Sequence, residues 1–238
     1  MPGLNDEADA HIDDHFPVIR YFIQLIDMMK EGVETTMSKE SETIHRLRKE
    51  LSDYSKRSFH RGLVSGTGGN ISVRIPDHDR VLITASGVSL GDVEPDSNLL
   101  VNLEGVILEN PLGLIPSKET SFHLVVYQLR PDVGAIVHVH PPYATAYSNK
   151  ERPLPLATIS SRAILKEVPW IECALPGSKE LCDYVHGGIK KYPAVKALLM
   201  KEHGILALGP DLRIAYYVAD LVEDTAKIAF IADHIKTP

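Results

Sequence analysis

From Phe16 the apolar positions Ile19, Phe22, Ile26 and Met29 recur at helical spacing, which predicts a helix to about Glu34. Ordinary packing is one reading of its apolar face, and a partner contact is another. A second helix is predicted from about Glu40 to Arg61, after Ser38 as its cap. The texture then changes. Short β-rich runs at Asn70–Val73, Arg80–Thr84, Leu99–Asn102 and Val106–Leu108 are divided by Gly, Pro, Asp and Asn, the rhythm of an antiparallel sheet. Pro116-Ser117 opens a helix to about Arg130, where Pro131 stops it. Gly134–Val139 is apolar enough for a buried strand, and Pro141-Pro142 ends it by removing two backbone donors. A helical turn or two follows from Tyr143 to Ser148. Ala197–Met200 and Ile205–Leu208 flank Glu202-His203-Gly204 as a hairpin, and one long helix runs from Asp211 to about His234. Strands outnumber crossovers, so the pattern predicts a layered α/β domain on a mainly antiparallel central sheet, not a doubly wound parallel fold.

Composition narrows the function classes. The formal charge of -7 disfavours a non-specific nucleic-acid binder. It is also uneven: Asp6, Glu7, Asp9, Asp13 and Asp14 lie in an opening segment without Lys or Arg, so residues 1 to about 15 read as a solvated acidic arm. The remainder is close to neutral. Residues 1–35, the arm and its helix, are expected to stand apart from a catalytic domain over 36–238. The apolar stretch Phe16–Met29 is broken by Arg20, Gln24 and Asp27 and cannot span a membrane. Cys173 and Cys182 make no disulfide framework, and no signal peptide opens the chain, so a reduced, cytoplasmic setting is expected.

The sharpest chemical signal is His138-Val139-His140. Residues i and i+2 of a strand project from the same face, so both imidazoles point one way, as a divalent metal pair or as two ordinary histidines at a strand end. His203, in a turn where Gly204 allows an unusual backbone angle, is a candidate third ligand. Glu119 is the acidic candidate, in the first turn of the helix opening at Ser117, where free amides and the dipole favour an anion. His123, one turn on, reads as structural. Gly66-Thr67-Gly68-Gly69-Asn70 and Thr84-Ala85-Ser86-Gly87 match neither a dinucleotide fingerprint nor a P-loop, but turns of this kind can bind phosphate or carboxylate. Ser117-Lys118 at a helix start is a further anion site. The two cysteines lack a local histidine, and there is no nucleophile elbow.

Taken in order, Gly68-Gly69-Asn70-Ile71-Ser72, Thr84-Ala85-Ser86-Gly87, Pro116-Ser117-Lys118-Glu119, His138-Val139-His140 and His203-Gly204 resemble the class II aldolase/adducin family, from about residue 40 to the C-terminus. The resemblance implies a three-layer α/β/α sandwich on a mainly antiparallel sheet and a homotetramer with active sites between subunits. It implies a divalent metal, zinc or another ion such as manganese, on His138, His140, His203 and Glu119, with Glu119 also the acid/base. It further implies a sugar-phosphate site at Gly69, Asn70, Thr84, Ser86, Gly87, Ser117 and Lys118. The implied reaction is cleavage of a ketose phosphate to dihydroxyacetone phosphate and an aldehyde through an enediolate. A decarboxylase, epimerase or dehydratase would use the same metal-stabilised enolate, and an adducin-like scaffold would use none of it. The chain departs from the sugar-phosphate aldolases twice. Lys118 stands where they carry serine, and Leu156-Ala157-Thr158-Ile159-Ser160 holds no counterpart of their interface tyrosine. Tyr143, Tyr147, Tyr216 and Tyr217 are the candidate substitutes.

Overall fold

A computed structural model describes residues 17–235, with the side chains of 17–38 described only at Ile26 and Met28. The acidic arm lies outside the described residues, as do the side chains of Ile19, Phe22 and Met29. The chain divides into two units, Met1–Ile44 and His45–Pro238, and each is taken by itself. Both units share one helix, α1 (Pro17–His60), which corrects the expectation of two helices separated near Ser38. No proline interrupts the stretch between them, and the single Gly32 costs only about 1 kcal/mol in a helix interior, too little to break it. Ser38 is therefore mid-helix and not a cap.

In the second unit one eight-stranded sheet has the order β4-β3-β2-β1-β5-β8-β7-β6. Its strands are β1 (Asn70–Arg74), β2 (Arg80–Thr84), β3 (Asn98–Asn102), β4 (Ile107–Glu109), β5 (Ala135–Val139), β6 (Trp170–Ile171), β7 (Ala197–Met200) and β8 (Gly204–Gly209). Every pairing is antiparallel except β6 with β7. Side-chain alternation sorts the core into two layers. Val81, Ile83, Leu99, Val101, Ile136, Leu198 and Leu206 point to one face, where they meet Phe122 and Val126 of α2 (Thr120–Leu129) and Leu181 and Val185 of α5 (Lys179–Lys191). The other face is covered by α3 (Pro142–Ser148) and α6 (Leu212–His234). This is the expected α/β sandwich on a mainly antiparallel sheet.

Two helices were not anticipated. The first, α4 (Ile159–Leu165), is capped by Thr158 in a reciprocal pair with Ser161. The second, α5, is capped by Ser178, which accepts from Leu181 N. Its buried Leu181, Val185, Gly188 and Ile189 have helical spacing, but the Gly187-Gly188 pair breaks the look of a helix.

One edge of the sheet gathers the chemistry. The end of β5, the start of β1 and the start of β8 coincide there, since Asn70 pairs with His138 and Val139 with Ile205. The hairpin between β7 and β8 forms as expected, but its unusual backbone angle belongs to Glu202, at φ 55°. Gly204 is needed for a different reason: a Cβ there would lie 2.3 Å from the Val139 carbonyl oxygen. Gly204→Ala should therefore cost about 3 kcal/mol through overpacking. Gly187→Ala, at an exposed helical position with no atom near the added carbon, should gain about 0.5–1 kcal/mol. Urea unfolding midpoints of the two variants check this contrast.

Candidate metal centre

Strand β5 delivers His138 fully buried on the α2 face, and His140 follows it half-buried beyond the strand end. The ring of His138 is fixed by its own backbone surroundings. Its Nδ1 donates to the carbonyl of Ile205 on the neighbouring strand at 2.9 Å, which turns Nε2 toward the other two histidines. The hairpin brings His203 in from 65 residues away, so that its Nε2 lies 3.3 Å from His138 Nε2, and His140 Nε2 lies at 3.0 Å. All three ligand atoms fall within 4.8 Å of one another. The glycines before β1 fit closely against this pair. A Cβ on Gly69, which has φ +75°, would meet the His138 carbonyl, and one on Gly68 would meet the His140 ring.

Glu119 completes the cluster, though not as a residue inside a helix. The helix α2 begins at Thr120, so Glu119 occupies the capping position and makes no side-chain cap bond. The expectation that helix amides and the dipole hold its carboxylate is thereby corrected. The loop turns at Ser117, which bonds the Glu119 and Thr120 amides, and this swings the carboxylate toward the histidines. Its Oε2 lies 3.1 Å from His138 Nε2 and accepts from Asn70 Nδ2 at 2.7 Å. Its Oε1 lies 3.1 Å from His203 Nε2 but has no hydrogen-bond partner, although it is buried. Burial alone would raise the carboxyl pKa, but His138 and then His203 outweigh it and hold Glu119 below the ordinary carboxylate range. Burial, reinforced by His138 and His203, pushes His140 down to about 3. For His203 burial also lowers the pKa, but Cys173 and Glu119 overcome it and raise the value to about 9.

Cys173 was not anticipated at the site: it has no local histidine, but a distant one reaches it. Its Sγ lies 2.9 Å from His203 Nδ1. The parallel pairing of Ile171 with Met200 brings together these two distant stretches, for which no local spacing is a signal.

The anticipated anion-binding loops converge on the same edge. Ala85 bridges to Pro116, Ser86 N bonds the Ile115 carbonyl, and the Thr84 hydroxyl accepts from Ile71 N. Gly87 is exposed with φ +77°, Ser117 is buried beside Glu119, and Lys118 is exposed. The four candidate tyrosines have other neighbours. Tyr143 packs on Phe230, the Tyr147 hydroxyl accepts from Arg152, and Tyr216 lies between Tyr54 and Tyr217.

With this geometry in hand, comparison with known proteins is specific. A sequence profile described as Class II Aldolase and Adducin N-terminal domain matches residues 49–230. The L-fuculose phosphate aldolase of Methanococcus maripaludis is 31% identical over 178 residues, covering 75% of this chain and 93% of that protein. The 3-oxo-tetronate 4-phosphate decarboxylase of Haemophilus influenzae is 34% identical over 191 residues, covering 76% and 86%. A solved L-fuculose 1-phosphate aldolase structure superposes with a TM-score of 0.74 at 32% identity, over 81% of this chain and 89% of that one.

The raised pKa of His203 makes a prediction about cation binding. A metal on Nε2 must displace the proton that His203 holds below about pH 9, whereas His140 has none to release above about pH 4. Affinity for zinc should therefore rise about tenfold per pH unit between pH 6 and 8, one proton leaving per ion bound. Competition titrations with a chromophoric chelator check the slope, and a flat profile contradicts it.

Proposed function

This chain belongs to the class II aldolase and adducin family, and we propose that it is a metal-dependent class II aldolase cleaving a ketose phosphate to dihydroxyacetone phosphate and an aldehyde. The observation that carries the reading is the convergence of the His138, His140 and His203 Nε2 atoms, with the Glu119 carboxylate beside those of His138 and His203. A non-enzymatic scaffold has no use for such a cluster, because gathering four polar groups at one buried point costs desolvation free energy.

The residues fit a divalent cation. Imidazole Nε2 atoms 3.0 and 3.3 Å apart, beside a buried carboxylate, are a donor set that one shared cation satisfies once the His203 proton leaves. Three imidazoles and a carboxylate suit zinc first and manganese next. Such an ion, when bound, supplies Lewis-acid polarisation of the substrate's carbonyl and adjacent hydroxyl. His138, His140 and His203 hold it, with the His138 ring anchored on Ile205 and the His203 ring beside Cys173. Breaking the carbon–carbon bond takes a proton from the hydroxyl of the aldehyde half and gives one to the carbon left on the ketone half. Glu119 Oε1 is the atom that moves a proton on the ketone half, while Oε2 stays on Asn70. The phosphate is held by the amides around Gly69 and Gly87, the second Asn70 N–H, the Thr84, Ser86 and Ser117 side chains and the Lys118 ammonium.

A second reading, a decarboxylase of a 3-oxo acid phosphate, is favoured by one observation. No tyrosine stands in the Leu156–Ser160 stretch. Loss of carbon dioxide leaves no hydroxyl to deprotonate, so it needs one acid/base group fewer.

The remaining features of the reading are a catalytic domain over 36–238, a reduced cytoplasmic setting, and a homotetramer with sites between subunits. No nucleic-acid or membrane partner is proposed. Both cysteines are free, and no helix among the described residues is long and apolar enough to cross a membrane. Exposed Ile107, Leu108, Ile115, Ile159 and Leu175 offer apolar surface for assembly.

A substrate panel with product detection tests the chemistry. Dihydroxyacetone phosphate from a ketose 1-phosphate is expected, carbon dioxide from a 3-oxo acid phosphate selects the second reading, and neither product sinks both. Glu119→Gln should lower kcat by about 10²- to 10⁴-fold while circular dichroism stays native. Light scattering should report a tetramer, and a clean monomer contradicts shared sites.

A further inference from the structure

Behind Glu119 and Asn70 runs a line of buried polar groups, His123, Ser72 and Tyr127, that the reaction itself does not use. Glu119, His123 and Tyr127 recur every fourth residue at and along α2, while Asn70 and Ser72 alternate on the opposing face of β1. Four residues of helix advance about 6 Å and two residues of strand about 6.6 Å, so the two rows stay in phase and interleave. Glu119 Oε2 meets Asn70 Nδ2 at 2.7 Å, and Asn70 Oδ1 meets His123 Nε2 at 2.6 Å. His123 Nδ1 meets Ser72 Oγ at 2.7 Å, and Ser72 Oγ meets the Tyr127 hydroxyl at 2.8 Å. All five residues are buried.

The direction of donation follows from one end. An ionised carboxylate only accepts, so Asn70 turns its NH2 to Glu119 and its carbonyl to His123. That carbonyl needs a donor, which puts the His123 proton on Nε2. Nδ1 then accepts from Ser72, whose oxygen accepts from Tyr127. Four donors in series point toward Glu119 Oε2, each polarising the next. Resting on the acid/base role proposed for Glu119, we propose that His123, as its Nε2–H tautomer, is a positioning residue. It locks the Asn70 amide, which clamps Oε2 of Glu119 beside His138 and leaves Oε1 turned to His203. Burial, with His138 adding to it, pushes the His123 pKa down to about 3, so the tautomer is a neutral one throughout the physiological range. The ring also stacks on Phe122, with centroids 4.9 Å apart, which holds its plane.

The test uses the full chain, metal-free and then reloaded with zinc. Long-range proton–nitrogen spectra of the metal-free protein should identify His123 as the Nε2–H form. His123→Leu fills similar space without a donor. It should weaken zinc binding about tenfold and lower kcat about 10- to 100-fold, with KM changed less than about threefold. His123→Gln, whose amide reaches the Nε2 position, should recover both to within about threefold of wild type. Tyr127→Phe, equally buried but at the far end, should change either by less than about threefold. An Nδ1–H tautomer, or equal zinc affinity in wild type and His123→Leu, overturns the inference. The tautomer is read on the wild-type chain, so the inference remains testable even if His123→Leu does not fold. The expected tautomer and zinc affinities with no turnover on the whole substrate panel would defeat the aldolase reading and leave the clamp standing.

Discussion

The site depends on how a buried carboxylate is kept charged. Glu119 is 5% exposed, and burial of an uncompensated carboxylate would neutralise it. Here one oxygen takes a hydrogen bond from Asn70 and the other faces His203, and both lie against imidazoles. These partners outweigh the desolvation and keep the group ionised. It therefore stays an acceptor, which orients the Asn70 amide and, through it, the polar row between β1 and α2. A group that merely capped α2 would have been satisfied by backbone amides and would have pointed away from the histidines.

The sheet supplies the rest of the precision. β5 lies between β1 and β8, so one strand end carries His138 and His140 while its two neighbours hold Asn70 and fix the His138 ring through Ile205. Neighbouring strands in register position side chains more tightly than loops do. The ligands that do come from loops are braced by close backbone approaches. Gly204 presses on the Val139 carbonyl, and Gly69 presses on that of His138. These glycines serve contact distance as much as backbone angle, which explains why a turn-based account of Gly204 misplaces the unusual φ that Glu202 adopts.

The electrostatics of the cluster divide its histidines. His140 is neutral because burial and its neighbours oppose a second charge, whereas His203 retains a proton between Glu119 and Cys173. A cation arriving at the three Nε2 atoms replaces one proton on one ring. Cys173 also sits where it can accept from His203 Nδ1 once Nε2 is engaged, which keeps that ring in the orientation the cluster needs.

Local pattern alone was enough for much of this molecule. The β-rich runs, the Pro131 stop and the Pro141-Pro142 stop are short-range signals, and α2 and every strand but the unanticipated β6 end within a residue or two of where they point. The metal-ligand candidates were legible because a strand's period of two puts His138 and His140 on one face, and because ordered motifs resemble a family. The continuity of α1 past Ser38 and the helix α5 were not legible, since local propensity is weak where neither a proline nor an unbroken apolar stripe decides. Three features belong to tertiary structure alone: the pairing of Cys173 with His203, the release of Glu119 from its helix, and the interleaving of β1 with α2. Each joins residues 30 to 55 positions apart. The spacings Glu119-His123-Tyr127 and Asn70-Ser72 are present in the chain, but a period of four and a period of two become one row only when the sheet packs on the helix and their rises match.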